Sequence, residues 1–564
     1  MNGVPFSAAA YRNYRDMFII LSLIILSTPW AAHAEMITVC KDGCDYVNIQ
    51  EAIDAAVPGD IIEVQSGTYS ENVNVTKQLT LRCVDISAKK PVVDAGQEGN
   101  AITISADGIT LEGFNVTNSL GSGAEVWAGI KVTSTGNTIT GNTAFNNENG
   151  ILLSYFDNNT ITGNDAIHNI YGIRLKGSND NTVATNNLSS NNYGIFLTSS
   201  DGNNIRGNDA NSNDFGILLE SSVGNVLGSN LMHENSYNFG ANGDNDVDTS
   251  NLVGSKPIYY FVGVSGRVID PSSNVGTIYC IDCNNLTVEG LTLGNNFHGI
   301  YLYNTTSSIL KDNILSDNQY GIVLADSYNN TVMGNNVSNN GEDGIVLDSS
   351  EDNAIEGNYI LENDGFGLSV TKSDYNSIIS NNASRNEKGF FLFRSSHNQI
   401  LMNCLAENSF GIHLKSSWIN DVIDNKVVRN YNGVRLESSI ENNVSGNEII
   451  ENGIGILYDS SSNNTLDDNL MLDNGKDGEH VITESVESGG PKPRYPVWIN
   501  SSPSKADILI DGGYIGKSPL KDFFKPGIYT VELLKRGMKD ESMIFEVPKT
   551  EVIVVNLTSR DSSE

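Results

Sequence analysis

An all-β fold, a right-handed parallel β-helix followed by a small β-sandwich, is what this sequence predicts, and three observations carry that reading. A phrase Asn-x-(Ile/Val/Leu)-x-x-Asn starts at Asn159, Asn181, Asn203 and Asn225, 22 residues apart, and resumes after a break from Asn330 to Asn464 with steps of 22 or 23. A Gly-aliphatic-x-aliphatic phrase keeps time with it, as in Gly172-Ile173-Arg174-Leu175. After Leu472 both phrases stop, and from Tyr495 alternating strands with Asp-Gly and Pro-Gly turns replace them.

Each phrase has a place in a coil. Ile173 and Leu175 alternate with Arg174, so the aliphatic pair points inward and the arginine outward. A second short strand surrounds Ile161. Strands this short, with Gly and Asn between them, suit the sides of a coil that pairs in parallel with the coils above and below. The asparagines then read as corner residues: their amides can bond to the equivalent Asn one coil away, and Asn tolerates left-handed backbone. The repeat glycine reads as a further corner, where positive φ or close packing is needed. A helical repeat is excluded, because no stretch inside the repeats shows i, i+3, i+4, i+7 apolar spacing and Asn and Gly are poor helix formers. About 16 coils from Ile61 to Leu472, at roughly 4.8 Å each, would make a rod on the order of 70–80 Å long.

Before the repeats, apolar residues at Ile49, Ala52, Ile53 and Ala56 have helical spacing, stopped by Pro58-Gly59. A short helix here would cover the open first coil, whose strand edges would otherwise be unpaired. Further upstream, Arg12 and Arg15 precede an apolar run, Phe18 to Leu26, and Ala32-His33-Ala34 has the small-x-small pattern of a cleavage site. The expected product is exported and has no membrane span after cleavage. The expected organisation is a signal peptide (1–34), cap helix and first coils (35–118), a regular array (119–238), an irregular interruption (239–284), a second array (285–480), a linker (481–494) and a β-sandwich (495–558).

Net charge is −34, from 34 Lys plus Arg against 68 Asp plus Glu, and it is spread along the chain. Such a surface repels phosphate backbones, so nucleic acid is excluded as a partner. It suits an extracellular surface that holds cations, calcium included, loosely. Cys40, Cys44, Cys83, Cys280 and Cys283 are candidate disulfide cysteines of an exported protein, with buried thiols as the alternative; Cys404 stands alone. About a dozen Asn-x-Ser/Thr sequons, among them Asn74, Asn115, Asn187, Asn304, Asn382 and Asn443, permit glycosylation, though an Asn-Thr corner phrase creates many automatically.

The stretches Ile49 to Ala56, Gly59 to Val64 and Gly67 to Asn72 resemble the opening of the pectin-lyase-like β-helix superfamily. The Asn-Thr-Ile and Gly-Ile-x-Leu coils resemble its NosD-type branch, which is also described as carbohydrate-binding and sugar-hydrolase domains. The interruption at 239–284 is similar to those of archaeal members. The C-terminal part resembles the PEGA domain: Pro503-Ser504-Lys505-Ala506 stands where Pro-Glu-Gly-Ala would, followed by Gly516-Lys517-Ser518-Pro519 and Pro526-Gly527. The resemblance implies an envelope-associated protein, with the C-terminal domain as a contact for other envelope proteins. It implies no particular chemistry, because the superfamily spans lyases, hydrolases, epimerases and non-enzymes.

Outward residues of successive coils form one face, so a site must be sought down a column. Tyr301, Tyr303, Phe391, Phe393, His413, Lys415, Arg435 and Glu437 fall on such a column. Aromatics beside charged hydrogen-bonding groups suit an extended, acidic sugar chain, so these eight are the carbohydrate-binding candidates. No catalytic or metal residue is assigned. Asp467-Asp468 is the one tempting acid pair, and it occupies a corner phrase, where a turn role accounts for it. The signatures Gly-His-Gly, Arg-Ile-Lys and Asp-Pro-His are absent from the sequence, and its seven histidines are scattered, which disfavours copper. A scaffold or carbohydrate-binding protein at the cell surface is therefore preferred to a polysaccharide lyase or hydrolase, and no cofactor is firmly implied.

Overall fold

A computed structural model describes residues 34–84, 89–121, 126–475 and 479–482 of the repeat region. Of the C-terminal part it describes 495–502, 506–510, 513–524, 527–535, 538–539, 541–547, 549 and 552–558. The signal-peptide reading (apart from Ala34), most of the linker, and residues 503–505 of the PEGA-like motif lie outside the described residues.

The repeats form parallel coils with three strand-bearing faces. In one coil these strands are Thr160–Thr162, Asp165–Ile167 and Tyr171–Lys176. Each pairs in parallel with its equivalent one coil on, Ile161 with Val183 and Ile173 with Ile195. The aliphatic residues thereby stack in columns with no solvent exposure, each burial stabilising by about 1.5–3 kcal/mol.

The corners are the asparagine ladders that the sequence predicts, and there are more of them. Asn164 donates from Nδ2 to the Ile139 carbonyl at 2.9 Å and to Asn186 Oδ1 at 3.0 Å, and its backbone N–H also reaches Asn186 Oδ1. The Asn159 ladder behaves alike, and a third runs through Asn147, Asn169, Asn191 and Asn213. A serine ladder, Ser178 to Ser200 to Ser222, holds the fourth corner. Left-handed backbone sits one residue earlier than expected. Asn158, Gly163, His168 and Gly177, each just before a ladder residue, have φ of 59°, 62°, 55° and 56°. The turn thus belongs to one residue and the buried hydrogen bonds to the next. The repeat glycines serve close packing instead of positive φ: a Cβ on Gly172 would lie 2.6 Å from the Gly194 carbonyl oxygen of the next coil.

The cap helix is Ile49–Ala55, with Ile49, Ala52 and Ile53 buried over the first coil. Glu71 accepts from the backbone N–H groups of Ile49 and Gln50 at 2.9 and 3.0 Å. Lys77 donates to the carbonyls of Ile53, Asp54 and Ala56 at the other end. Opposite charges therefore sit at the two ends that the helix dipole favours. Beside it Cys40 and Cys44 form a disulfide. Cys83, Cys280 and Cys283 do not; they are buried thiols, which resolves the cysteine alternatives.

The solenoid is not one rod. One face of the first stack carries ten strands, Met36–Val39 to Asp246–Val247, and its long face carries eight, Val73–Val75 to Tyr237–Gly240. The chain then reverses: Leu252–Val253 pairs antiparallel with Lys256–Val262, which begins the long face of a second stack running to Glu479–Ile482. The strand Thr277–Ile281 serves both cores. Ile278 and Cys280 point into the second stack, while Tyr279 and Ile281 join the core of the first. Tyr279 is fully buried, packs edge-on against Phe239 at 5.3 Å and donates its hydroxyl to the Phe239 carbonyl. The outward side of the second stack's long face thus closes the end of the first stack, as the helix closes its beginning. Near Leu472 the Asp467-Asp468 pair is in a turn, Asp468 being left-handed with φ 55°.

In the C-terminal domain a three-stranded and a four-stranded sheet enclose Val497, Ile499, Ile508, Val531, Leu533 and Phe545, the β-sandwich that the sequence predicts.

Candidate functional site

Six of the eight candidates meet on the long face of the second stack, on the strands Lys388–Phe393, Phe410–Lys415 and Asn432–Glu437. These pair in register, Phe391 with His413 with Arg435 and Phe393 with Lys415 with Glu437. Glu437 is the hub. It takes His413 Nε2 at 3.0 Å, Lys415 Nζ at 2.8 Å and Arg435 Nη2 at 3.2 Å, and Arg435 reaches Asp459 Oδ2 at 3.2 Å. The hydrogen bond from His413, with those from Lys415 and the Arg435 charge, holds the Glu437 carboxyl down at about 2. Burial pushes His413, 4% exposed, down to about 4 despite the carboxylate beside it. His413 is therefore neutral near pH 7, its proton on Nε2 because a carboxylate can only accept. That leaves Nδ1 as an acceptor, and neither it nor Arg435 Nε has a hydrogen-bond partner among the described residues.

The other two candidates do not join them. Tyr301 is 7% exposed, stacked on His298 at 4.6 Å within the core of the first stack, and Tyr303 packs against that same core. Both belong to the junction between stacks, and desolvation there raises the Tyr301 hydroxyl well above its ordinary range.

Three residues that the sequence reading passed over complete the face. Lys388 Nζ lies 4.3 Å from the ring centre of Phe366, 4.7 Å from Phe391 and 5.8 Å from Phe410. Burial lowers its pKa, and among the described residues no carboxylate lies within ion-pairing distance of it. Strict alternation places Lys388 and Phe391, three apart, on opposite sides of a strand. The tight coil-to-coil packing at Gly389 breaks that alternation and turns Lys388 onto the outer face. Phe410 stacks on His413 at 5.1 Å and lies under the Arg435 guanidinium at 5.5 Å. The result is a half-buried cation cradled by three rings, beside an ion-pair cluster that still has buried polar atoms to satisfy.

Comparison with known proteins gives the family of the chain. The family profile described as "Periplasmic copper-binding protein (NosD)" matches residues 53–259, 262–410 and 406–495. The chain belongs to the NosD family. A PEGA domain follows at residues 494–561. Over 132 residues, 23% of this chain and 20% of the relative, it is 34% identical to a "Cell surface glycoprotein" of Methanothermus fervidus, so it spans only a fifth of that protein. Among solved structures it is similar to the periplasmic alginate epimerase AlgG (15% identity, TM-score 0.33, 62% of this chain and 78% of that one). It is also similar to the Azotobacter vinelandii mannuronan C-5 epimerase AlgE4 A-module (12%, TM-score 0.25, 78% and 94%).

The NosD description implies copper. Among the described residues no group of three or more His, Cys, Asp or Glu side chains is placed to hold a metal ion. His413, the histidine of the candidate face, already gives its Nε2 proton to Glu437. The face therefore does not fit copper. Among the described residues no helix is long and apolar enough to cross a membrane, which leaves β-barrels unaddressed.

Proposed function

We propose that this NosD-family chain is an exported protein of the cell surface that binds envelope polysaccharide on the long face of its second stack. The observation that carries it is Lys388: a desolvated ammonium on three phenylalanine rings, with Glu387 and Asp343 acting on it only from beyond ion-pairing distance. A cation in that state gains from an incoming anion or a ring of hydroxyls, and the flanking aromatics offer apolar area for sugar C–H faces. The surface-protein relative and the periplasmic description of the family support the location. The PEGA domain supplies the contact with other envelope proteins, and the acidic surface holds cations such as calcium loosely, without a built site.

A lyase or hydrolase reading gains less support, because Glu437 and Asp459 are already engaged as ion-pair acceptors instead of standing free as acid and base. The test is a glycan array probed with the exported chain and with Lys388→Ala, His413→Ala and Arg435→Ala. Loss of the strongest signals in Lys388→Ala and Arg435→Ala is expected. Unchanged signals in all three variants, or no glycan bound by the parent chain, would remove this face from consideration.

A further inference from the structure

One corner of the second stack departs from the usual choice of residue at a left-handed position in two of three consecutive coils. The corner that follows the long face needs a left-handed residue in each coil. Successive coils place Asn285, Ser307, Asn329 and Asp352 there, residues that accept such backbone readily. The next three coils place Tyr375, His397 and Ile419, with φ of 58°, 58° and 54°. A β-branched residue at positive φ is an outlier and a tyrosine is poorly suited, whereas histidine accepts such backbone, so the strain lies at Tyr375 and Ile419.

Burial does not compensate for the strain. Tyr375 is 55% exposed and Ile419 43%. In the adjacent column Trp418 is 41% exposed and stands one coil below Ile440, also exposed. Tyr375 and His397 stack on each other at 4.7 Å with planes 20° apart. Strained backbone, exposed rings and exposed aliphatics therefore coincide over consecutive coils on one edge. Departures from local preference with no packing return are where function is expected.

We propose that this edge is a ring-stacking subsite: Trp418, with Tyr375 and His397, takes the apolar face of a pyranose belonging to the same chain held at Lys388. The inference rests on the carbohydrate reading of the long face, and the molecule joins the two places. Phe391 and Phe393 lie parallel along one strand, Arg394 covers the Phe393 ring at 4.9 Å, and His397 follows three residues later on the edge. The strand that carries the phenylalanines therefore leads through Arg394 to the edge that carries His397. Aromatic residues with a polar handle suit a sugar, which offers C–H faces and hydroxyls together.

The test is affinity electrophoresis of the full exported chain through gels containing polygalacturonate or, separately, neutral hydroxyethyl cellulose. Trp418→Ala, Tyr375→Ala, Trp418→Phe and Ile419→Gly are run beside the parent, with melting curves for each. Retardation in polygalacturonate is expected to weaken roughly five- to tenfold in Trp418→Ala, about the worth of one stacked ring, and to be largely kept in Trp418→Phe. Ile419→Gly separates the two roles of its position: it is expected to raise the melting temperature while weakening retardation. If the parent is retarded and every folded variant is retarded equally, the subsite is refuted while the long-face reading stands, and a protein contact then accounts for the ridge. If neither polymer retards the parent, both readings fall together.

Discussion

His413 donates its Nε2–H to Glu437 Oε2 over 3.0 Å, on the carboxylate whose other oxygen receives Lys415 at 2.8 Å. Both titrations are depressed, His413 to about 4 and Glu437 to about 2. A depressed folded-state pKa contributes stability above the unfolded value, and that stability is lost as pH falls through the folded value. The His413 contribution is therefore complete above about pH 6.5 and fades toward 4, and the Glu437 contribution fades from about 4.5 toward 2. In urea melts from pH 7 to pH 4, the wild-type midpoint should fall more than that of His413→Gln. Equal slopes would show that His413 is not held neutral.

Removing the hub should be costlier than any single partner. Glu437→Ala leaves the His413 N–H without an acceptor in a site where water is largely excluded. The expected loss is about 1–3 kcal/mol, the penalty for a stranded buried donor. Lys415→Ala, whose side chain is 42% exposed, should cost less than about 1 kcal/mol. Equal losses in the two variants would contradict the hub.

Asp343 has the opposite sign. It accepts the Phe366 N–H at 2.7 Å, and burial raises its carboxyl to about 7. A raised folded pKa contributes stability below the unfolded value, lost as pH rises through the folded one. The Asp343 contribution should thus fade as pH climbs from 4 past 7. Asp343→Asn keeps an acceptor oxygen and does not titrate. Its melting temperature should exceed the wild type's at pH 8 and approach it at pH 4. A variant that melts lower at both pH values would mean that the charged form is the one the fold uses.

The repeat was legible because stacking dictates residue type: an inward column accepts only aliphatics, and a buried ladder needs a side chain that both donates and accepts. Asn159 and Asn164 announce themselves by phrase, whereas Asn169 follows the less regular strand Asp165–Ile167 and was not read as a third ladder. The junction was illegible for a different reason. Tyr279 and Tyr301 look like outward residues in any coil, and only the reversal at Lys256 turns their face onto the end of the first stack. At the candidate face, period-2 alternation located Phe391, His413 and Arg435 but hid Lys388, because the glycine between strand start and strand body shifts the phase.

Two glycines separate the roles that the sequence left joined. Gly194 is the second residue of the long-face strand Tyr193–Thr198, and a Cβ there would lie 2.5 Å from the Gly216 carbonyl oxygen and 3.1 Å from the ladder amide of Asn213. Neither backbone can yield without breaking the pairing of Ile195 with Ile217. Gly163 is at a turn with φ 62°, and its added Cβ would come no nearer than 4.0 Å to Thr140 Oγ1. Only the left-handed backbone limits it, and Asn tolerates that. Gly194→Ala should therefore lower stability by about 2 kcal/mol or more, in the range of overpacked cores. Gly163→Asn should change it by less than about 1 kcal/mol. Thermal melts of the two variants decide the matter, and a larger loss at Gly163 would mean that the coils are spaced by their corners and not by close approach at the strand glycines.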